Sequence, residues 1–167
     1  MKLLSKVNLN RCFIRLLNHI SITSCLHSSF IRNPLKNYPP LIYHDEYSCP
    51  WPEDHRFPMN KFMTLKDTLR NSGIFTGEFY TPVNPLDCED SLQYVYAAHD
   101  RDYIQRFIHN QFTDLEKRKI GLDFNSYLVR RTFSEVGGTM LAIDLCLEKR
   151  MALNLAGGTH HAYRTYG

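Results

Sequence analysis

The first acidic residue of this chain is Asp45. Residues 1–44 carry six bases, Lys2, Lys6, Arg11, Arg15, Arg32 and Lys36, and no acid. All 17 acidic residues lie beyond that point, against 14 of the 20 Lys and Arg. The formal net charge of +3 therefore belongs to the leader, and the remainder is mildly acidic. That excludes the basic footprint of a nucleic-acid-binding domain. C-x-x-C is missing too. The five cysteines, Cys12, Cys25, Cys49, Cys88 and Cys146, are odd in number and scattered. Such spacing argues against a disulfide framework or a zinc knuckle and for reduced thiols. No run approaches the roughly 18 apolar residues of a membrane span. Internal repeats and low-complexity tracts are absent as well.

What the leader does contain is Leu3, Leu4, Val7, Phe13, Ile14 and Leu17 interleaved with Lys6, Arg11 and Arg15. An amphipathic, Arg-rich, acid-poor segment resembles a mitochondrial transit peptide. Residues 1–38 are expected to form that leader, with an unstructured extension as the alternative. Arg11 and Arg15 interrupt any secretory h-region. Mitochondria are the expected location, with nucleus or cytoplasm as alternatives.

Residues 39–167 have the length and apolar content of one globular domain, the whole chain being 43% hydrophobic and 13% aromatic. Leu41-Ile42-Tyr43, residues 77–83 and residues 151–155 are strand candidates. Asn60 predicts the cap of a helix to about Arg70, with Phe62, Leu65 and Leu69 on one face and Gly73 as its stop. Asp87 with Asp90, and then Asp100, open two more helical segments. Glu116-Lys117-Arg118-Lys119 reads as a solvated helix end. The strongest helix spans about Ser126 to Arg150, where Val129, Phe133, Val136, Met140, Ile143 and Leu147 form one stripe. Gly137 and Gly138 in its middle mean either close approach of another backbone or a break into two helices. Strands alternating with helices predict an α/β domain with a parallel sheet.

Near the end stands Asn154-Leu155-Ala156-Gly157-Gly158-Thr159-His160-His161-Ala162. A short apolar run, a Gly-Gly turn and two imidazoles follow one another. Chemistry in open α/β sheets sits at the carboxyl ends of strands, and histidine suits proton transfer near neutral pH. Adjacent imidazoles point in different directions and make a poor chelate. His44, His99 and His109 read as packed or solvated, and none is assigned to a metal.

Together with Pro50-Trp51-Pro52-Glu53-Asp54-His55-Arg56-Phe57-Pro58-Met59-Asn60-Lys61-Phe62 and Ala98-His99-Asp100-Arg101-Asp102-Tyr103, this segment resembles the N-terminal half of the zinc-dependent histone deacetylase family, in its class IV-like and bacterial-type branch. The resemblance covers about residues 41–167. It implies the N-terminal part of an arginase/deacetylase-like fold, a parallel sheet with helices on both faces, truncated here. It also implies hydrolysis of acetyl-lysine amides by a water that Zn(2+) activates. His161 would be the general base, and His160 would orient water and stabilise charge. Arg56 would line the internal channel, and Gly157 and Gly158 would let backbone approach the acyl-lysine tunnel.

The zinc ligands and the oxyanion tyrosine that the resemblance implies are expected beyond Gly167, so no metal ligand is assigned within the chain and the chain alone is expected to be inactive. A substrate-binding aspartate found in some relatives would fall on Arg101. The expected partner is an acetylated lysine of a protein substrate or a small acetylated amine, with no nucleic acid and no membrane span. A non-catalytic interaction or regulatory fragment is the alternative reading.

Overall fold

Pro39 and Pro40 lead into the apolar run at which β1 (Leu41–Ile42) forms. The computed structural model describes residues 38–73, 75–158 and 162–166. The leader expected over residues 1–38 lies outside them apart from Tyr38, and His160 and His161 lie outside them too. β2 (Leu153–Asn154) pairs with β1 in parallel, Leu41 opposite Leu153 and Ile42 opposite Asn154. On the other side of β1, Ile42 forms a single parallel bridge with Tyr80.

This corrects the expected fold class. The described residues do not form a parallel sheet with helices on both faces. They form five α-helices around a two-stranded sheet whose strands are two residues long. The causes are local. After Tyr43 the chain turns at once into a 3-10 turn, Asp45–Tyr47, because His44 Nδ1 accepts from the Glu46 amide at 3.1 Å. The strand expected over 77–83 contributes only Tyr80, and Pro82 brings no N–H to a ladder. β2 stops at Asn154, whose side-chain Oδ1 accepts from the Ala156 amide at 3.3 Å and folds the chain off the strand.

The helices follow their capping chemistry. α1 (Lys61–Asn71) starts after Asn60 as expected, but the Asn60 side chain makes no cap bond. Ser48 Oγ accepts from the Met63 amide instead, at 3.1 Å. Phe62 is buried, Leu69 half-buried and Leu65 exposed, so α1 covers less than its expected face. Gly73 ends that segment at φ +68°. Asn84 caps a 3-10 turn, Pro85–Asp87, which leads into α2 (Glu89–Ala98). Asp100 caps α3 (Arg101–Ile108), its side chain accepting from the Asp102 and Tyr103 amides. Thr113 and Glu116 cap α4 (Asp114–Ile120) reciprocally.

α5 (Ser126–Lys149) runs unbroken through Gly137 and Gly138. A Cβ on Gly137 would overlap the Val83 carbonyl, and one on Gly138 would overlap the Tyr47 hydroxyl and the Asn154 amide. The glycines therefore mark close approach and not a break. Val129 and Phe133 of the expected stripe are buried with Val95, Ile104, Phe107 and Phe112 in a core between helices. A second core, Tyr43, Tyr47, Met59, Phe62 and Ala156, lies against the sheet. The far end of the stripe, Ile143 and Leu147, is exposed.

Candidate functional site

A second face of α5 is buried and polar. Arg131 is 2% exposed and Glu135 5%. Arg131 Nη2 donates to Glu135 Oε1 at 2.5 Å and its Nε to the Tyr47 carbonyl at 3.2 Å. The guanidinium also lies 5.2 Å from the Phe62 ring and 5.5 Å from the Phe57 ring, a cation–π setting. Tyr47 Oη donates to Asn154 Oδ1 at 2.9 Å, and Asn154 Nδ2 donates to the Glu135 carbonyl at 3.2 Å. The network therefore runs from α5 to the end of β2, three residues before Gly157. Burial pushes the Glu135 carboxyl up to about 7, against the pull of Arg131 and Lys61. Burial, with Glu135 nearby, also raises the Tyr47 phenol, so it stays a neutral donor.

A neighbouring polar cluster fixes the two 3-10 turns to α5. Arg130 donates to Glu46 Oε1 at 2.6 Å and to both Asp87 oxygens, at 3.1 and 2.7 Å. Asn84 Nδ2 donates to Glu46 Oε2 at 2.8 Å and to Ser134 Oγ at 2.9 Å. Burial works against the Glu46 carboxylate, but hydrogen bonds from Ser134, Arg130 and Asn84 hold it below its ordinary value. Every group in this cluster has a partner inside it, and its role is structural.

Between α5 and the α2–α3 corner lies a cavity of about 330 Å³. Tyr103 and Phe107 of α3, with Val136 and Met140 of α5, give it apolar walls. His99, Arg131 and Glu135 add polar groups, and Gly158, Ala162 and Tyr166 border it. Gly158 and Ala162 flank the segment that contains His160 and His161 in sequence, and those two histidines lie outside the described residues. Gly157 and Gly158 are exposed, and no described atom comes within 4 Å of a Cβ built on either. Ala156, just before them, is fully buried.

No family model matches the chain. An uncharacterized protein of the cyanobacterium Picosynechococcus sp. is similar to it, 40% identical over 129 residues. The match takes in 77% of this chain but 41% of that protein, so the chain spans about two fifths of its relative's length.

The other sequence-derived site residue, Arg56, is exposed, and its Nη2 stands 3.4 Å from the place of a Cβ on Gly121. It is not among the residues that line the cavity; Arg131 is. Among the described residues no group of three His, Cys, Asp or Glu side chains could hold a metal ion. Sequence reading gave no role to Tyr47, Arg131, Glu135 or Asn154, although Asn154 opens the histidine-pair motif. The signal for two of them was present: Leu128, Arg131, Glu135, Gly138 and Leu145 repeat at helical spacing, a second buried face beside the apolar stripe.

Proposed function

We propose that this chain forms part of a hydrolase of acyl-lysine amides, of the kind its motifs resemble in the zinc-dependent histone deacetylases. The observation that carries this reading is the cavity: it is bordered by Gly158 and by Ala162, the residues on either side of the segment that holds the histidine pair. Its walls, Tyr103, Phe107, Val136 and Met140, suit the aliphatic stem of an acylated lysine or a small acetylated amine. The described residues do not themselves fit a zinc ion, since no three ligating side chains converge. Proton transfer and positioning are the roles that the motifs give this chain. His161 takes a proton from the attacking water, and His160 orients that water and stabilises developing charge.

The test is acetate release from an acetyl-lysine peptide by the full-length gene product and its His161→Ala variant. We expect kcat to fall by about 10²-fold or more, the usual contribution of an acid–base group, with KM changing less. A variant with wild-type kcat overturns the base assignment. A gene product that hydrolyses neither acetyl-lysine peptides nor acetylated amines overturns the reading as a whole.

A further inference from the structure

The segment after the histidine pair is tied to the fold at one place. Among the described residues, 162–166 make two hydrogen bonds to the rest of the chain, both at the α2–α3 corner. His99 Nδ1 lies 2.8 Å from the Tyr163 carbonyl, and the Asp100 amide donates to the Arg164 carbonyl at 2.9 Å. Two consecutive residues of the corner thus hold two consecutive residues of the segment. The corner is itself fixed: the His99 amide donates to the Val95 carbonyl at 2.9 Å and closes α2, and Asp100 caps α3.

A carbonyl oxygen only accepts, so the proton of this bond sits on His99 Nδ1. That assigns the tautomer. His44 and His55 have the opposite arrangement, their Nδ1 atoms accepting from the Glu46 and Phe57 amides at 3.1 and 3.0 Å.

The other end of the intervening segment is anchored by β2. There Leu155 N donates to the Ile42 carbonyl at 3.0 Å, and Ala156 is fully buried. Gly157 and Gly158 follow, and no described atom lies within 4 Å of a Cβ built on either. Two glycines are a permissive link, so the segment's exit needs a second fixed point. We propose that His99 is a positioning residue which, with the Asp100 amide, clamps Tyr163–Arg164 and so sets the exit of the segment that contains His160 and His161. The purpose given to that segment rests on the proposed hydrolase function; the clamp itself does not.

Hydrogen exchange on the full-length gene product tests this, comparing wild type with His99→Leu and His99→Asn. Leu has no donor, whereas the Asn amide places an N–H about where Nδ1–H stands. We expect peptides over residues 157–166 to exchange about tenfold faster in His99→Leu, the scale set by losing one net hydrogen bond. His99→Asn should stay near wild type, and peptides from α5 should be unchanged in both. Equal protection in His99→Leu, or equal loosening in the two variants, overturns the clamp. If His99→Leu does not fold, nitrogen NMR of wild-type His99 decides: a protonated Nδ1 supports the clamp and an Nε2–H tautomer overturns it. In the activity assay, a positioning role lowers kcat in His99→Leu without changing the shape of the pH profile, and His99→Asn restores it. Loosening with unchanged kcat overturns the positioning role. Loosening in a protein that hydrolyses no acyl-lysine leaves the clamp standing and overturns the hydrolase reading.

Discussion

Glu135 has a buried carboxyl beside a buried guanidinium, and the sign of its pH dependence follows from that. Burial raises its pKa from 4.5 to about 7, outweighing Arg131. Between those limits the folded chain keeps a proton that the unfolded chain has lost. Stability is then complete below about 4.5 and falls as pH rises toward 7. One proton's difference across one pH unit is worth about 1.4 kcal/mol, so the whole window amounts to something on the order of 3 kcal/mol. Glu116 has the opposite sense, since hydrogen bonds from Arg106 and Thr113 hold it down to about 2 and its contribution is lost only on acidification. The two therefore separate by pH. Glu135→Gln cannot ionise, so the urea midpoint of the variant should lose the decline that wild type shows between pH 5 and 7. A wild-type midpoint that does not decline over that window would show that Arg131 keeps Glu135 ionised.

At the scale of the element, α5 organises the described residues. Gly137 lies under Val83 and Gly138 under Tyr47 and Asn154, so the helix can reach the sheet and the second 3-10 turn only without side chains there. Alanine is the better helix former by about 1 kcal/mol, but overpacking costs about 1–3 kcal/mol and more when backbone must move. Gly137→Ala meets backbone, so the clash wins. Gly138→Ala meets the Tyr47 hydroxyl and the Asn154 amide, and it should also break their hydrogen bond. We expect both variants to lower the thermal midpoint, and Gly138→Ala also to loosen β2 in hydrogen exchange. A Gly138→Ala midpoint at or above wild type would contradict this packing.

The same helix shows what could be read from sequence. Its ends, its continuity under one of two open readings, and its close-packed glycines follow from capping, periodicity and the missing Cβ, all of which are local. Asp100 as a cap is local too. The sheet was over-read, because apolar runs at 77–83 and 151–155 say nothing of the hydrogen bonds that Pro82 cannot make or of the inward turn of Asn154. Arg131 and Glu135 were missed because charged residues on a helix are usually solvated. Only the partners, Tyr47 and Asn154, 84 positions before Arg131 and 19 after Glu135, make that face an interior one. His99 was set aside as packed or solvated, and its bond to Tyr163 spans 64 positions that no local pattern connects.

At the scale of the whole molecule, one group of exposed apolar side chains lies where α5 ends and β2 begins, while others, such as Val83 and Leu115, lie elsewhere along the chain. Ile143 and Leu147 on the last turns of α5, with Met151 and Leu153 beyond them, are 43–58% exposed. Beside them β2 is hydrogen-bonded to β1, and among the described residues its other edge has no strand partner. Such an edge next to apolar side chains is a template for association. Roughly a few hundred Å² of apolar surface, at about 25 cal/mol per Å², is several kcal/mol of burial not realised, which is comparable to a domain's net stability. The polar interior is not the weak point, since Trp51 Nε1 is the one buried side-chain donor or acceptor lacking a partner among the described residues. Residues 39–167 on their own should therefore self-associate, and they should bind a hydrophobic dye. Replacing Leu147 and Met151 together by Lys removes two of these four exposed apolar side chains on positions where neither is buried. That double variant should shift the sedimentation profile toward monomer while leaving the helical circular dichroism unchanged. A wild-type segment that sediments as a monomer and melts in one sharp transition would show that this end is stable uncovered, and would favour an independent interaction module over part of a larger hydrolase.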